Sequence, residues 1–171
     1  ADQNGPLGIA GIMGGEASGV NAETKDVFLE AAFFNPIAIA GRARSYGLHT
    51  DSSHRFERGV DWQLQAKAME RATELLIEIC GGDAGPVIEV ASEENLPKVE
   101  KVRLRHAKVN SYLSFDMPVE EIEEILVRLG MSISKDGDDA WLVDVPSYRF
   151  DISIEVDLIE ELARVYGYNN L

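Results

Sequence analysis

Apolar positions along this chain fall into two stretches of different rhythm, divided at a polar segment near residue 92. In the first stretch, Leu7 to Ile12 is a short apolar run closed by Gly14-Gly15, and Val27 to Phe34 is another. Both predict buried strands around a glycine-rich turn. Asn35 followed by Pro36 predicts an N-cap and a first-turn proline for a short helix, with Ile37, Ala40 and Arg44 at helical spacing and Gly47 as its stop. Asp61 predicts the cap of a longer helix whose apolar stripe is Leu64, Ala68, Ala72, Leu75, Leu76 and Ile79, closing at Gly81-Gly82. Val87 to Ala91 predicts a strand that returns to the first sheet.

Residues Ser92 to Pro97, SEENLP, are polar and contain a proline, and the pattern restarts after them, as at a domain boundary. The expected domains are residues 1–92 and 93–171. In the second, Val102 and Leu104 alternate with Lys101, Arg103 and Arg105 and predict a half-exposed strand, with a helical turn or two over Ala107 to Leu113. Asp116 and Pro118 open an amphipathic helix with Ile122, Ile125, Leu126 and Leu129 inward, Glu120, Glu121, Glu123 and Glu124 outward, and Gly130 as its C-cap. Met131 to Ser134 and Ala140 to Val145 predict a hairpin around residues 136–139, and Ser153 the cap of a last helix reaching Tyr166. Strand, helix, helix, hairpin, helix is close to a winged-helix arrangement. The predicted class is α/β (α+β), with a small winged-helix-like domain in second place.

Composition narrows what such a chain does. Its 171 residues, 45% hydrophobic, suit two small domains. A formal net charge of −14 argues against a general nucleic-acid-binding surface, so any RNA contact has to be local. Cys80 is the only cysteine, which excludes an internal disulfide and makes a cytoplasmic location the expectation. No apolar run approaches the roughly 20 residues of a membrane span, and no signal core follows a basic start, so no membrane partner is expected. Opening at Ala1 without a methionine and stopping just after a helix, the chain reads as an internal piece of a larger protein.

Against this acidic background the segment from Gly41 to Asp61, GRARSYGLHTDSSHRFERGVD, crowds together Arg42, Arg44, Arg55, Arg58, His49, His54, Thr50, Ser52 and Ser53. It is read as a basic loop, and either handles a ligand or forms surface ion pairs. His49 and His54 are five apart and His106 is the only other histidine, so no zinc-like cluster is present. A Ser/His nucleophile pair there lacks a nucleophile elbow or other specific context. Glu30, inside the apolar FLEAAFF, either alternates to solvent or points inward; an inward carboxylate demands a hydrogen-bond donor and would discriminate ligands that carry a hydroxyl from those that lack it. Asp151, Asp157, Glu160 and Glu161 gather around the start of the last helix, where they form either a solvated acidic face or a site for a hard cation such as Mg²⁺.

Taken with those residues, the stretches GIMGGEASGVNAET, FLEAAFFNP, GRARSYGLHTDSSHRFERGVD, KAMERATELLIEICGG and PSYRFDISIEVDLIEELARVYGYN resemble, over essentially the whole chain, the bacterial phenylalanyl-tRNA synthetase β-subunit family. The resemblance implies that residues up to about Ser92 are the later part of an α/β editing domain that hydrolyses tyrosine mistakenly attached to the phenylalanine tRNA. It implies that Glu30 reads the para-hydroxyl of tyrosine and that Gly14, Thr50 and Ser52 line the same pocket. At Ser52 the family pattern has alanine, which implies a slightly tighter or more polar pocket here. Asp151, Asp157, Glu160 and Glu161 match a magnesium site shared with the catalytic α subunit of an αβ heterotetramer. ATP is then a substrate of the whole enzyme, bound outside this segment, and phenylalanine tRNA is the expected RNA partner. Two other readings stand beside this one: a structural, RNA-docking scaffold with a vestigial pocket, and a winged-helix DNA binder built on residues from Lys98 onward, which the glutamate-rich helix disfavours.

Overall fold

The computed structural model describes residues 1–98 and 100–171, in two compact units, Ala1–Pro97 and Lys98–Leu171. Among the described residues no helix is long and apolar enough to cross a membrane.

In the first unit, the short strands β1 (Gly8–Ile9) and β2 (Met13–Gly14) pair antiparallel as a tight hairpin. At its tip Gly11 has φ 68°, and a Cβ there would come within 2.9 Å of the Phe34 ring, so both backbone conformation and packing require glycine. Helix α1 (Pro36–Ile39) starts as expected, with the Asn35 side chain accepting from the Ile37 N–H and proline in the first turn. Its expected continuation to Gly47 is broken at Gly41, φ 75°, and resumes as a separate turn, α2 (Arg42–Ser45). The supposed basic loop then contains a further helix, α3 (Asp51–Phe56). A small core of Ile12, Ile39 and Ala43, joined by Phe34, Leu48 and Phe56, holds these pieces together, and the Phe34 and Phe56 rings meet edge to face at 4.9 Å.

The long helix α4 (Gln65–Cys80) ends at Gly81 with φ 72°, as expected, but starts later than Asp61, whose side chain instead accepts from the Gln63 N–H just before the helix. No residue of α4 is fully buried. Two expected strands are corrected. Residues 27–34 and 87–91 are not in strands, and Phe28, Ile88 and Val90 are 89%, 75% and 90% exposed. A strand exists only as one member of a hydrogen-bonded pair, and among the described residues neither segment has a partner.

The second unit follows its hydrophobic pattern closely. β3 (Val102–Arg105) leads into α5 (His106–Leu113) and α6 (Val119–Arg128), followed by the hairpin β4 (Ser132–Lys135) and β5 (Ala140–Asp144) and by α7 (Glu155–Tyr166). The antiparallel sheet has the order β3-β5-β4, with Leu104 opposite Trp141 and Ile133 opposite Val143. Leu104, Val109, Met117, Ile122, Leu126, Trp141, Val143, Leu158 and Leu162 are buried in one continuous core. The Trp141 indole N–H donates to Glu123 at 2.8 Å, so the large ring is buried with its polar atom satisfied. Ser153 does not supply the side-chain cap of α7. Asp157 reaches back from the first turn instead, its Oδ2 accepting from the N–H groups of Ser153 at 2.8 Å and Ile154 at 2.9 Å.

Candidate functional site

Thr50 is the joint of the first unit. Its backbone is extended and ends the loop from Gly47, and its Oγ1 accepts from the Ser53 N–H at 3.0 Å while the Ser53 Oγ accepts from the Thr50 N–H at 3.1 Å. This reciprocal capping starts α3 and explains why Ser53 is only 2% exposed. The Thr50 hydroxyl has one proton, and it goes to the carbonyl of Ile12 at 2.6 Å. Through that bond the start of α3 is tied to the hairpin that carries Gly14, so the sequence-predicted positions Gly14, Thr50 and Ser52 belong to two directly linked elements.

Gly14 lies in β2 opposite Gly8 and lines an open surface cleft with Pro6, Gly8, Ile9, Met13 and Gly15. A Cβ at Gly14 would meet nothing within 4 Å, so the space in front of it is free. Ser52 is half-buried in the first turn of α3. Glu30 is exposed, outside any helix or strand, between the half-buried Leu29 and Ala31. Of the two orientations open to it from sequence, the described residues give the solvent-facing one.

The basic residues divide by surroundings. Arg58 donates to Glu57 at 2.8 Å and lies 3.0 Å from the ring of His54, and the rings of His54 and His49 are 5.9 Å apart. Partial burial works against the charge of Glu57, but the hydrogen bond from Arg58, the backbone N–H of Gly41 and the nearby guanidinium of Arg44 hold its carboxyl below the usual range. The carboxylate thus sits between an arginine of α2 and one that follows α3. Among the described residues no carboxylate forms an ion pair with Arg42, Arg44 or Arg55.

The four acids of the second unit have separate tasks. Asp151 accepts both Arg149 Nε at 2.9 Å and Arg149 Nη2 at 2.7 Å. Glu161, 7% exposed, accepts from Arg164 Nε at 3.0 Å and Nη2 at 2.6 Å, and from Arg149 Nη1 at 2.7 Å. The bonds from Arg164 and then from Arg149 lower its pKa to about 2. The bond from Arg149 likewise holds the Asp151 carboxyl low. Asp157 is occupied in holding the start of α7, and Glu160 is exposed. Among the described residues no three His, Cys, Asp or Glu side chains converge as a metal site would require. Within this chain Asp151 and Glu161 are paired with arginines, while the magnesium site expected from the resemblance also draws on an α subunit. Sequence reasoning missed Arg149 and Arg164; the signal was an arginine two residues before Asp151 and another three residues after Glu161, within reach of acids that would otherwise repel one another.

Comparison with known proteins places both units. The B3/4 domain family matches residues 1–81, and the tRNA synthetase B5 domain family matches residues 102–168. The whole chain is 63% identical over 171 residues to the phenylalanine–tRNA ligase beta subunit of Pasteurella multocida (strain Pm70), covering 100% of this chain and 21% of that protein. The chain belongs to the phenylalanine–tRNA ligase β-subunit family. The corresponding subunits of Pseudomonas fluorescens (strain Pf0-1) and Hahella chejuensis (strain KCTC 2396) are 61% and 60% identical over all of this chain, which covers 22% of each. The chain therefore spans about a fifth of the length of the curated relatives it matches. Within this family the first unit carries the B3/4 residues and the second the B5 residues, in an α/β arrangement.

Proposed function

We propose that this chain is the proofreading and docking part of a phenylalanine–tRNA ligase β subunit, working with an α subunit that joins phenylalanine to its tRNA at the expense of ATP. The observation that carries the reading is identity of 60% or more along the full chain to subunits of that name. In this reading the B3/4 unit helps remove tyrosine wrongly esterified to the phenylalanine tRNA. A tyrosyl ester differs from the correct phenylalanyl ester by one hydroxyl, and an ionised carboxylate is a strong acceptor for it. Glu30 is that acceptor, with its carboxylate open to a ligand, and Gly14 leaves space without a side chain. Thr50 acts through position: its bonds to Ile12 and Ser53 hold the two elements of the site in register. A water attacks the ester, while Glu30 selects the substrate. Asp151, Asp157, Glu160 and Glu161 would hold a magnesium ion together with the α subunit, and no step of the hydrolysis is routed through it.

The test uses the complete two-subunit enzyme, with tyrosyl-tRNA hydrolysis and aminoacylation measured in the same preparations. The unsubstituted enzyme is expected to hydrolyse tyrosyl-tRNA, and Glu30→Ala to lose that activity while keeping aminoacylation. Unchanged hydrolysis in the variant would remove Glu30 from the site, and no hydrolysis by the unsubstituted enzyme would leave the scaffold reading.

A further inference from the structure

The cations of the first unit are unevenly placed. Before Lys98 the only Lys and Arg residues outside Arg42 to Arg58 are Lys25, Lys67 and Arg71, and Arg71 is already paired with Glu74 at 2.6 Å. In a protein of net charge −14, a local positive surface has been kept on α2, α3 and the turn after them. Its members are exposed: Arg42, Arg44, His49, His54, Arg55 and Arg58. They are also ordered relative to one another. Glu57 holds Arg58, Arg58 touches the His54 ring, and that ring lies 5.9 Å from the ring of His49. From Arg42 to Arg58 four arginines stand against two carboxylates, Asp51 and Glu57, of which only Glu57 is ion-paired among the described residues, so the group retains net positive charge.

The surface adjoins the candidate site directly. His49 precedes Thr50 in the chain, and the His54 N–H donates to the Thr50 carbonyl at 2.9 Å, so both imidazoles flank the residue that links α3 to the Gly14 hairpin. Guanidinium groups match phosphate oxygens through paired hydrogen bonds, and flat rings at a single-stranded end offer stacking surfaces for bases.

We propose that Arg44, Arg58 and the His49–His54 ring pair form the seat for the sugar-phosphate backbone at the single-stranded end of an aminoacylated RNA whose ester enters the site at Gly14, Glu30 and Thr50. This rests on the proofreading reading and names how the substrate's RNA part is held there. The arginines take one or two phosphates, the rings take a neighbouring base, and Glu57 keeps Arg58 in place without cancelling the patch. Contact with so few phosphates also fits an acidic protein, which repels the rest of the RNA and favours binding of its end.

The test measures tyrosyl-tRNA hydrolysis by the complete two-subunit enzyme over a range of salt concentrations, for the unsubstituted protein, for Arg44→Gln with Arg58→Gln, and for Arg71→Gln. Each backbone phosphate held on a single strand contributes about 0.7 to the slope of log affinity against log salt. The double variant is expected to raise KM for tyrosyl-tRNA about tenfold with kcat within about twofold, and to flatten the salt dependence of KM by about 0.7 to 1.4. Arg71→Gln, outside the patch, keeps both KM and slope. Arg44→Lys with Arg58→Lys restores most of the salt slope with a smaller recovery of KM, because the charge is kept and the paired geometry is lost. Hydrolysis by the unsubstituted enzyme with the double variant indistinguishable from it in KM and slope overturns the RNA seat and leaves proofreading intact. Absence of hydrolysis in the unsubstituted enzyme overturns both.

Discussion

Two guanidinium groups converge on Glu161, and they change what an acidic helix face does at that point. Its folded-state pKa of about 2 lies below the ordinary 4.5. A depressed carboxylate pKa means that the native state holds the charged form better than the unfolded chain does. Its stabilisation is therefore fully present above about pH 4.5 and fades as the pH falls toward 2. Replacing Glu161 with Ala leaves Arg149 and Arg164 without their shared acceptor and is expected to destabilise the fold by about 3 kcal/mol at neutral pH. Thermal melts of the native protein and Glu161→Gln between neutral pH and about pH 2.5 should converge toward the acid end. A gap in melting temperature that stays constant over that range would contradict the assignment. The environment of Glu161 was only half legible in the sequence, since the i,i+3 neighbour Arg164 is visible there while Arg149 arrives from a loop whose path depends on the fold.

At the scale of single elements, the sequence was legible wherever an element finds its partner inside the same unit. The alternation of Val102 and Leu104 and the hairpin around residues 136–139 appear as β3, β4 and β5 because each strand lies beside another of the three. Residues 27–34 carry an equally good strand pattern but lack a neighbour among the described residues, and a hydrophobic pattern alone does not supply hydrogen-bond partners. α3 failed to register for the opposite reason. All its residues but Phe56 are polar, so it shows no apolar stripe, and the available signal was the cap, Thr50 with Ser53 three positions on. If that cap governs the element, Thr50→Ala should cost about 1 kcal/mol or somewhat more of stability, since it loses the bond to Ile12 as well, while Thr50→Ser should stay close to the native value. Chemical denaturation of the three proteins decides it; equal losses for Ala and Ser would point to the Thr50 methyl group instead of its hydroxyl.

At the scale of the whole molecule the two units differ in how much of their apolar surface they bury for themselves. The second closes a continuous core around Leu104, Ile122, Trp141 and Leu158, whereas the first has only Ile12, Ile39 and Ala43 fully buried at its centre and exposes Phe28, Val87, Ile88 and Val90. Residues 98–171 alone are therefore expected to unfold in one cooperative transition, and Ile122→Ala within them to lose about 3 kcal/mol through transfer and cavity terms. A broad, non-cooperative melt of that segment would show that its core depends on residues outside it. The functional division runs parallel: in the proposed reading the self-contained B5 unit is a scaffold, and the B3/4 unit, with its open cleft and basic surface, meets the substrate.

The central claim is that Glu30 distinguishes two esters by a single hydroxyl. The measurement that tests it most directly is the ratio of kcat/KM for hydrolysis of tyrosyl-tRNA to that of phenylalanyl-tRNA, determined with the complete two-subunit enzyme for the native protein, Glu30→Gln and Glu30→Ala. A hydrogen bond to a charged group is worth about 1.5 to 3 kcal/mol, so the ratio should fall by about tenfold to a hundredfold in Glu30→Ala and by less in Glu30→Gln, mainly through slower removal of the tyrosyl ester. A ratio unchanged by both substitutions would contradict the account.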